Sequence, residues 1–290
     1  MQRRTRWTIG SLMAILLTSG AARSVEAESL RSDAKKATAP SDTSDRNKLP
    51  VTTLPVSIEQ GHLLYTANCA ACHGEQAKGN GPAAMVLKVH PREFINEDFR
   101  YISSDGVASE DDLYRTIRFG RRNAQMPAFP YLMDEEVHSL DLYLREVNRK
   151  GVFERLKAKF KDKPEMTEEK LERVSKKQTQ PGQPISWTAP SGDFKPDTAK
   201  GRVLFAANCA ACHGPEGRGD GLKTAVDSQG KPIKARDLTQ GDLRGGREPL
   251  EIFWRVRCGI PGTPMPALKT LDDNDVWQIV NFVRQLMRPK

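Results

Sequence analysis

The chain has 290 residues, 38% of them hydrophobic and 28% charged, with a formal net charge of +8. That length suggests about two domains, and the composition suits soluble globular units joined by polar segments. Five cysteines, four of them in two short motifs, leave no intramolecular disulfide framework, and no basic stripe interleaved with aromatics supports a nucleic-acid partner.

Residues 1–27 read as a secretory signal. Arg3, Arg4 and Arg6 precede an apolar run from Trp7 to Leu17 that is too short to span a bilayer comfortably, and Val25-Glu26-Ala27 supplies a cleavage site after Ala27. If it is not cleaved, the same segment would be an N-terminal anchor, and membrane contact is expected only in that case. Residues 28–54, rich in Ser, Asp, Thr, Lys and Pro, are expected to be a disordered linker, because they carry too little apolar surface to offset ordering.

A first unit is expected over 55–150. Ile58, His62, Leu63 and Tyr65 lead helically into Ala67-Asn68-Cys69-Ala70-Ala71-Cys72-His73-Gly74, and Gly61 shares a face with Tyr65. A glycine-rich loop follows to Gly81. Helices are predicted over Asp111 to Phe119 and from Asp134-Glu135-Glu136 onward, the latter with Val137, Leu140, Tyr143 and Leu144 as its apolar stripe. Residues 151–194 form a charged linker, with a helix expected near Phe153–Lys176 and an extended stretch after it.

The first unit's pattern returns over 195–290. Ala207-Asn208-Cys209-Ala210-Ala211-Cys212-His213-Gly214 repeats the earlier run letter for letter, and Gly201 and Phe205 stand where Gly61 and Tyr65 stood. Ile252, Phe253 and Val256 match Leu113, Tyr114 and Ile117, and Val276, Ile279, Phe282 and Val283 match the last stripe. Internal duplication explains this. The halves differ in charge: 55–150 has 11 basic and 14 acidic side chains, and 195–290 has 16 and 11.

Cys-x-x-Cys-His is the attachment signature of c-type haem. Two thiols one helical turn apart can each add to a vinyl group of one porphyrin, and the adjacent histidine can ligate its iron. A zinc ribbon would need two converging Cys-x-x-Cys pairs without a histidine in each, and a thioredoxin-like motif would need a β-α-β context. Two covalent haems are therefore expected, held by Cys69, Cys72, Cys209 and Cys212, with His73 and His213 as proximal ligands. Met126-Pro127 lies 53 residues after His73, and Met265-Pro266 lies 52 after His213. Met126 and Met265 are the distal-ligand candidates. Met85, Met133, Met287, His62, His90 and His138 have no counterpart in the other half.

Both halves resemble class I cytochrome c domains, and the whole resembles a fused dihaem cytochrome c. The resemblance spans roughly 56–150 and 195–290. It rests on Gly61-x-x-x-Tyr65, Gly201-x-x-x-Phe205, the two haem motifs, the Met-Pro pairs and the C-terminal helices. It implies an all-α fold of two tandem class I cytochrome c domains, each wrapped around one haem with its first and last helices crossing. It also implies a carbonyl acceptor for each proximal histidine in the loop after the motif. Gly81-Pro82 resembles that loop, and Gly221-Leu222 departs from it. Arg118 and Arg257 coincide between the repeats, and either haem propionates or solvent could face them. Cys258, at the place of Phe119, is expected to be a small buried side chain.

His/Met ligation closes both axial positions and raises the potential relative to two histidines. The expected function is outer-sphere electron transfer in the periplasm, between a redox protein donor and acceptor, as a free carrier or as a subunit of a dehydrogenase or terminal oxidase complex. The alternative is an enzyme resembling dihaem cytochrome c peroxidases, which needs one open haem. Equivalent methionines in both halves speak against it.

Overall fold

Helix α1 (Ile58–Asn68) begins where the Ser57 hydroxyl accepts the Gln60 N–H at 3.1 Å, a capping bond that satisfies one of the free donors of the first turn. The computed structural model describes residues 55–287 apart from Ser191, Asp193, Ser228, Gln229 and Lys231. The expected signal and the polar segment 28–54 lie outside the described residues. After α1 come α2 (Ala70–His73), α3 (Glu110–Phe119), α4 (Asp134–Lys159), α5 (Glu168–Thr179), α6 (Thr198–Asn208), α7 (Ala210–His213), α8 (Pro249–Cys258) and α9 (Asp273–Leu286). Among the described residues the only strands are Ala225–Val226 and Pro232–Ile233, an antiparallel pair of two residues each. The fold is all-α, as expected.

The same crossing builds both halves. α1 packs on α4, and α6 packs on α9. A Cβ on Gly61 would stand 1.9 Å from the Ser139 carbonyl oxygen, and one on Gly201 would stand 2.5 Å from that of Gln278. Only glycine lets the two backbones approach this closely. One turn later Tyr65 and Phe205 are fully buried, at 0% and 1% exposure. Tyr65 joins Val137, Leu140, Leu144, Ile117 and Phe94 in the first core. Phe205 joins Phe253, Val276, Ile279, Phe282 and Val283 in the second.

The charged linker differs from its expectation. The helix expected near Phe153–Lys176 is in two pieces. α4 runs unbroken from the first half out to Lys159, and the chain turns back through Lys163 and Met166 into α5. Val152, Leu156 and Leu171 close a small apolar contact between them, so the helices pair rather than extend. The stretch after α5 is extended but not free. Asp105 N–H donates to the Gln183 carbonyl, Gly182 N–H to Val107 and Ile185 N–H to Ser103, all at 3.0–3.1 Å. Two residues on, Trp187 packs against Phe253, Trp254 and Trp277, and the Trp277 indole N–H donates to the Thr188 carbonyl at 2.9 Å. The segment straps the two halves, which lie in one compact unit.

Under this strap lies a buried carboxylate. Asp112, 2% exposed, accepts from the Ser103 N–H (2.9 Å) and hydroxyl (2.6 Å), the Ser104 hydroxyl (2.8 Å), the Ser109 N–H (2.9 Å) and Arg115 (2.7 Å). Burial alone would raise its pKa, but donation from Ser103, Ser109 and Ser104 outweighs burial and holds it below the usual carboxylate range. Cys258 reaches this region from α8 and packs with Ile102, Ala108 and Leu113 of the first half. It is half-buried, and burial followed by the nearby Asp112 charge pushes its thiol up to about 12.

A pKa depressed by folding stabilises above the unfolded value, about 3.9 for aspartate, and that contribution fades as pH falls through the folded value. Asp112→Asn should therefore cost about 1.5–3 kcal/mol at pH 7, the worth of hydrogen bonds to a charged group. The gap from wild type should narrow below about pH 4. Urea unfolding from pH 7 to pH 3 checks this, and a gap independent of pH would contradict it.

Candidate haem sites

The backbone of the motif is the same in both halves. Cys69 ends α1 by donating its N–H to Tyr65 at 2.8 Å and then opens α2, where His73 N–H returns to the Cys69 carbonyl at 2.9 Å. Cys209 and His213 repeat these bonds at 2.8 and 2.9 Å. The two thiols of each motif thus sit three residues apart on one turn, on neighbouring positions of a helix face. Gly74 and Gly214 then take φ of 79° and 74°, a left-handed conformation suited to glycine, and turn the chain away. No two of the five cysteines are joined in a disulfide. Burial, with some repulsion from the second cysteine of each motif, pushes Cys69 up to about 12 and Cys209 up to about 11.

Each imidazole is oriented by one bond. The His73 Nδ1–H donates to the Arg92 carbonyl at 2.9 Å, and the His213 Nδ1–H donates to the Arg236 carbonyl at 3.0 Å. The bond fixes the tautomer and leaves Nε2 as the lone-pair nitrogen. Burial pushes both imidazoles below the usual histidine range, which keeps them neutral. The acceptors correct the expectation placed on Gly81-Pro82 and Gly221-Leu222. Gly81 N–H instead bonds the Cys72 carbonyl at 3.1 Å, so that loop braces the backbone of the motif rather than the ring. In the first half Phe94 stacks on His73 at 4.6 Å, whereas Leu238 takes the matching place in the second core.

Met126 and Met265 sit at the ends of matching turns. Arg121 and Met126 exchange backbone bonds at 2.9 and 3.1 Å, and Ile260 N–H donates to the Met265 carbonyl at 3.1 Å. Phe129 N–H bonds Ile117 and Leu268 N–H bonds Val256, at 3.2 and 3.0 Å, tying each loop to the helix before it. Met126 packs on the core that holds Cys69, Ala70 and Phe94. Met265 is half-buried, and Cys209 and Leu268 both pack on the second core. Arg118 and Arg257 have a use that sequence left open. Arg118 donates to the Pro130 carbonyl at 3.0 Å, to Leu132 and to Asp134. Arg257 donates to Leu268 at 3.0 Å, to Leu271 at 2.6 Å and to Asp273. Each arginine locks the loop after its methionine to the start of the last helix. The unmatched residues lie elsewhere: His62 stacks on Tyr143, His138 lies beside Glu110, and Met85 is 88% exposed.

The donor set fits haem c. Each half offers two free thiols on one turn, one neutral imidazole with Nε2 available, and one thioether on a braced loop. The signal for the two acceptor carbonyls was present but displaced. Arg92 lies 19 residues after His73, and Arg236 lies 23 after His213. The stretch that carries the short strand pair is thus four residues longer than its counterpart, which breaks a comparison kept at the fixed offset of 140.

Residues 198–287 match the cytochrome c family, and residues 56–144 match the family of cytochrome c oxidase, cbb3-type, subunit III. Over 99 residues the chain is 32% identical to cytochrome c6 of Thermosynechococcus vestitus, covering 34% of this chain and 77% of that protein. Over 95 residues it is 33% identical to cytochrome c6 of Parathermosynechococcus lividus, covering 32% and 94%. A chain of the Kuenenia stuttgartiensis reducing HAO-like protein complex superposes with a TM-score of 0.62 and 26% identity, covering 81% of this chain and 100% of that one. The chain belongs to the cytochrome c family: it is a dihaem c-type cytochrome made of two fused cytochrome c domains. It carries two covalently bound haem c groups, one for each Cys-x-x-Cys-His motif, and it acts in haem-based electron transfer.

Arg257→Gln should destabilise the protein by about 1.5–3 kcal/mol, since it strips two loop carbonyls and Asp273 of a charged donor. The side chain of Arg118 is somewhat more exposed, at 14% against 9%, so Arg118→Gln should cost less. Denaturant midpoints of the two variants check the order, and equal or reversed losses would contradict it.

Proposed function

We propose that the protein is a periplasmic electron carrier, or the electron-transfer subunit of a redox complex, working by outer-sphere transfer. In this assignment Cys69, Cys72, Cys209 and Cys212 form the thioethers, and His73, Met126, His213 and Met265 are the axial ligands. The observation that carries it is the duplication of local geometry: both halves hold the same donors on the same backbone bonds. Bound haem supplies the one-electron couple of its iron. The chain does the rest. The Arg92 and Arg236 carbonyls orient the imidazoles. Arg118 and Arg257 hold the methionine loops in place, and the two apolar cores keep water from the site. A methionine on both distal faces leaves no site for peroxide, which favours a carrier over a peroxidase-like enzyme.

The likeness to a chain of a reducing HAO-like protein complex supports work inside a multi-protein redox assembly, with a redox protein as donor and another as acceptor. The arginine-led apolar segment at Trp7 to Leu17 supports export. Among the described residues no helix is long and apolar enough to cross a membrane.

A spectroscopic redox titration tests the assignment. The purified protein should show two low-spin haems. Met126→His and Met265→His should each lower the potential of one haem and leave the other nearly unchanged, because a second histidine lowers the potential relative to methionine. A high-spin haem in the resting protein would favour the peroxidase-like alternative, and unchanged spectra and potentials would remove that methionine as a ligand.

A further inference from the structure

Arginines gather where the two halves meet. Arg92 and Arg100 in the first half match Arg236 and Arg244 in the second, with the same spacing of eight. Arg121, after α3, and Arg255, on α8, join them without counterparts. Tyr101 stands among them. The Arg121 guanidinium lies 5.3 Å from the centre of its ring. Tyr101 and Arg255 both press on Gly245, where a Cβ would stand 2.6 Å from the ring and 2.2 Å from Arg255 Nη1. Arg92 and Arg244 each interact with Tyr101 and are each repelled by Arg100. Polar contacts also cross between the halves here: Arg121 to Glu251 at 3.2 Å, and the Asn123 amide to the Leu243 carbonyl at 3.1 Å.

The positive charge exceeds its protein partners: the six arginines face fewer carboxylates. Glu97 pairs with Arg92 and Glu251 pairs with Arg121, while the Asp98 charge acts on Arg92 and the Asp242 charge on Arg244. The Nε atoms of Arg100 and Arg121 are buried with no protein acceptor. Burial pushes Arg255 down to about 10, and burial with repulsion from Arg100 pushes Arg92 to about the same value. Cations held this closely and partly buried are costly unless anions accompany them. Planar guanidinium forks match carboxylates in particular. The cluster also starts at both haem sites, since the backbones of Arg92 and Arg236 accept the Nδ1–H bonds of His73 and His213. A haem brings two propionate carboxylates, so two haems bring the anions that the cluster lacks.

We propose that these arginines form one carboxylate cradle, shared between the halves, that takes propionates from both haems. This rests on the haem placement of the proposed function. Its consequence is that each charge in the cradle acts on both redox centres, whichever half supplies it. The seam then sets the two potentials together rather than one domain at a time.

Arg100→Gln and Arg244→Gln in the full haem-loaded chain test it by spectroscopic redox titration. Loss of a positive charge favours the oxidised iron, so each single substitution should lower both midpoint potentials, most at the haem of its own half. Arg100→Lys and Arg244→Lys keep the charge and should load two haems with both potentials close to wild type, which guards against variants that fail to mature. Arg173→Gln, exposed on α5, should move neither potential. A shift confined to the haem of the substituted half, or no shift, would overturn the shared cradle. Added inorganic phosphate should leave both wild-type potentials in place. A phosphate-dependent shift of both would show a site open to free anions and would also overturn the proposal. Failure here leaves the Met126→His and Met265→His results untouched, so the two ideas stand or fall separately.

Discussion

Two backbones in contact at a glycine decide the form of each half. Gly61 and Gly201 bring the first helix against the last without a side chain between them. The next turn can then bury Tyr65 or Phe205 completely, and the motif that follows is delivered onto a finished core. From that point each half is a sequence of short ties. The cysteine turn closes on itself, the histidine closes on a carbonyl about twenty residues downstream, and an arginine closes the methionine loop onto the last helix. Each tie is modest alone, since a net hydrogen bond is worth about 0.5–1.5 kcal/mol and one to a charged group about 1.5–3 kcal/mol. Together they hold three kinds of donor around one core.

The halves share this plan but not its fittings. Tyr65 donates its hydroxyl to the Gly74 carbonyl at 2.7 Å, and Phe205 cannot. Phe94 stacks on the first imidazole, where the second half has Leu238. The second half instead gains an aromatic group of Phe253, Trp254 and Trp277 around Trp187, a residue delivered by the strap. Duplication therefore kept the donor set and let the surroundings drift. Different surroundings around the same ligands are one way in which a protein sets two potentials apart.

Much of this could be read from the sequence because it is carried by local pattern. The two haem motifs, the glycine-to-aromatic spacing, the apolar stripes of α4 and α9, and the Met-Pro pairs are all short and repeated, so each copy supported the other. What escaped depends on distant backbone. The Arg92 and Arg236 carbonyls belong to no side-chain pattern, and a four-residue insertion hid their equivalence. Arg118 and Arg257 were visible as a repeated pair, but two of the three acceptors of each are main-chain carbonyls that sequence does not mark. The strap was expected as an extended linker because Gln180 to Pro184 has the composition of one. Its order comes from Trp187 and from pairing with strand-like backbone at Ser103 to Val107, which is not local to it.

The central claim is that each half is completed by its own covalent haem. Mass spectrometry of the full chain, matured with the haem-attachment machinery and then digested, tests it most directly. The account predicts two haem additions, one on the peptide containing Cys69 and Cys72 and one on the peptide containing Cys209 and Cys212. A single addition, or haem on neither peptide, would contradict it.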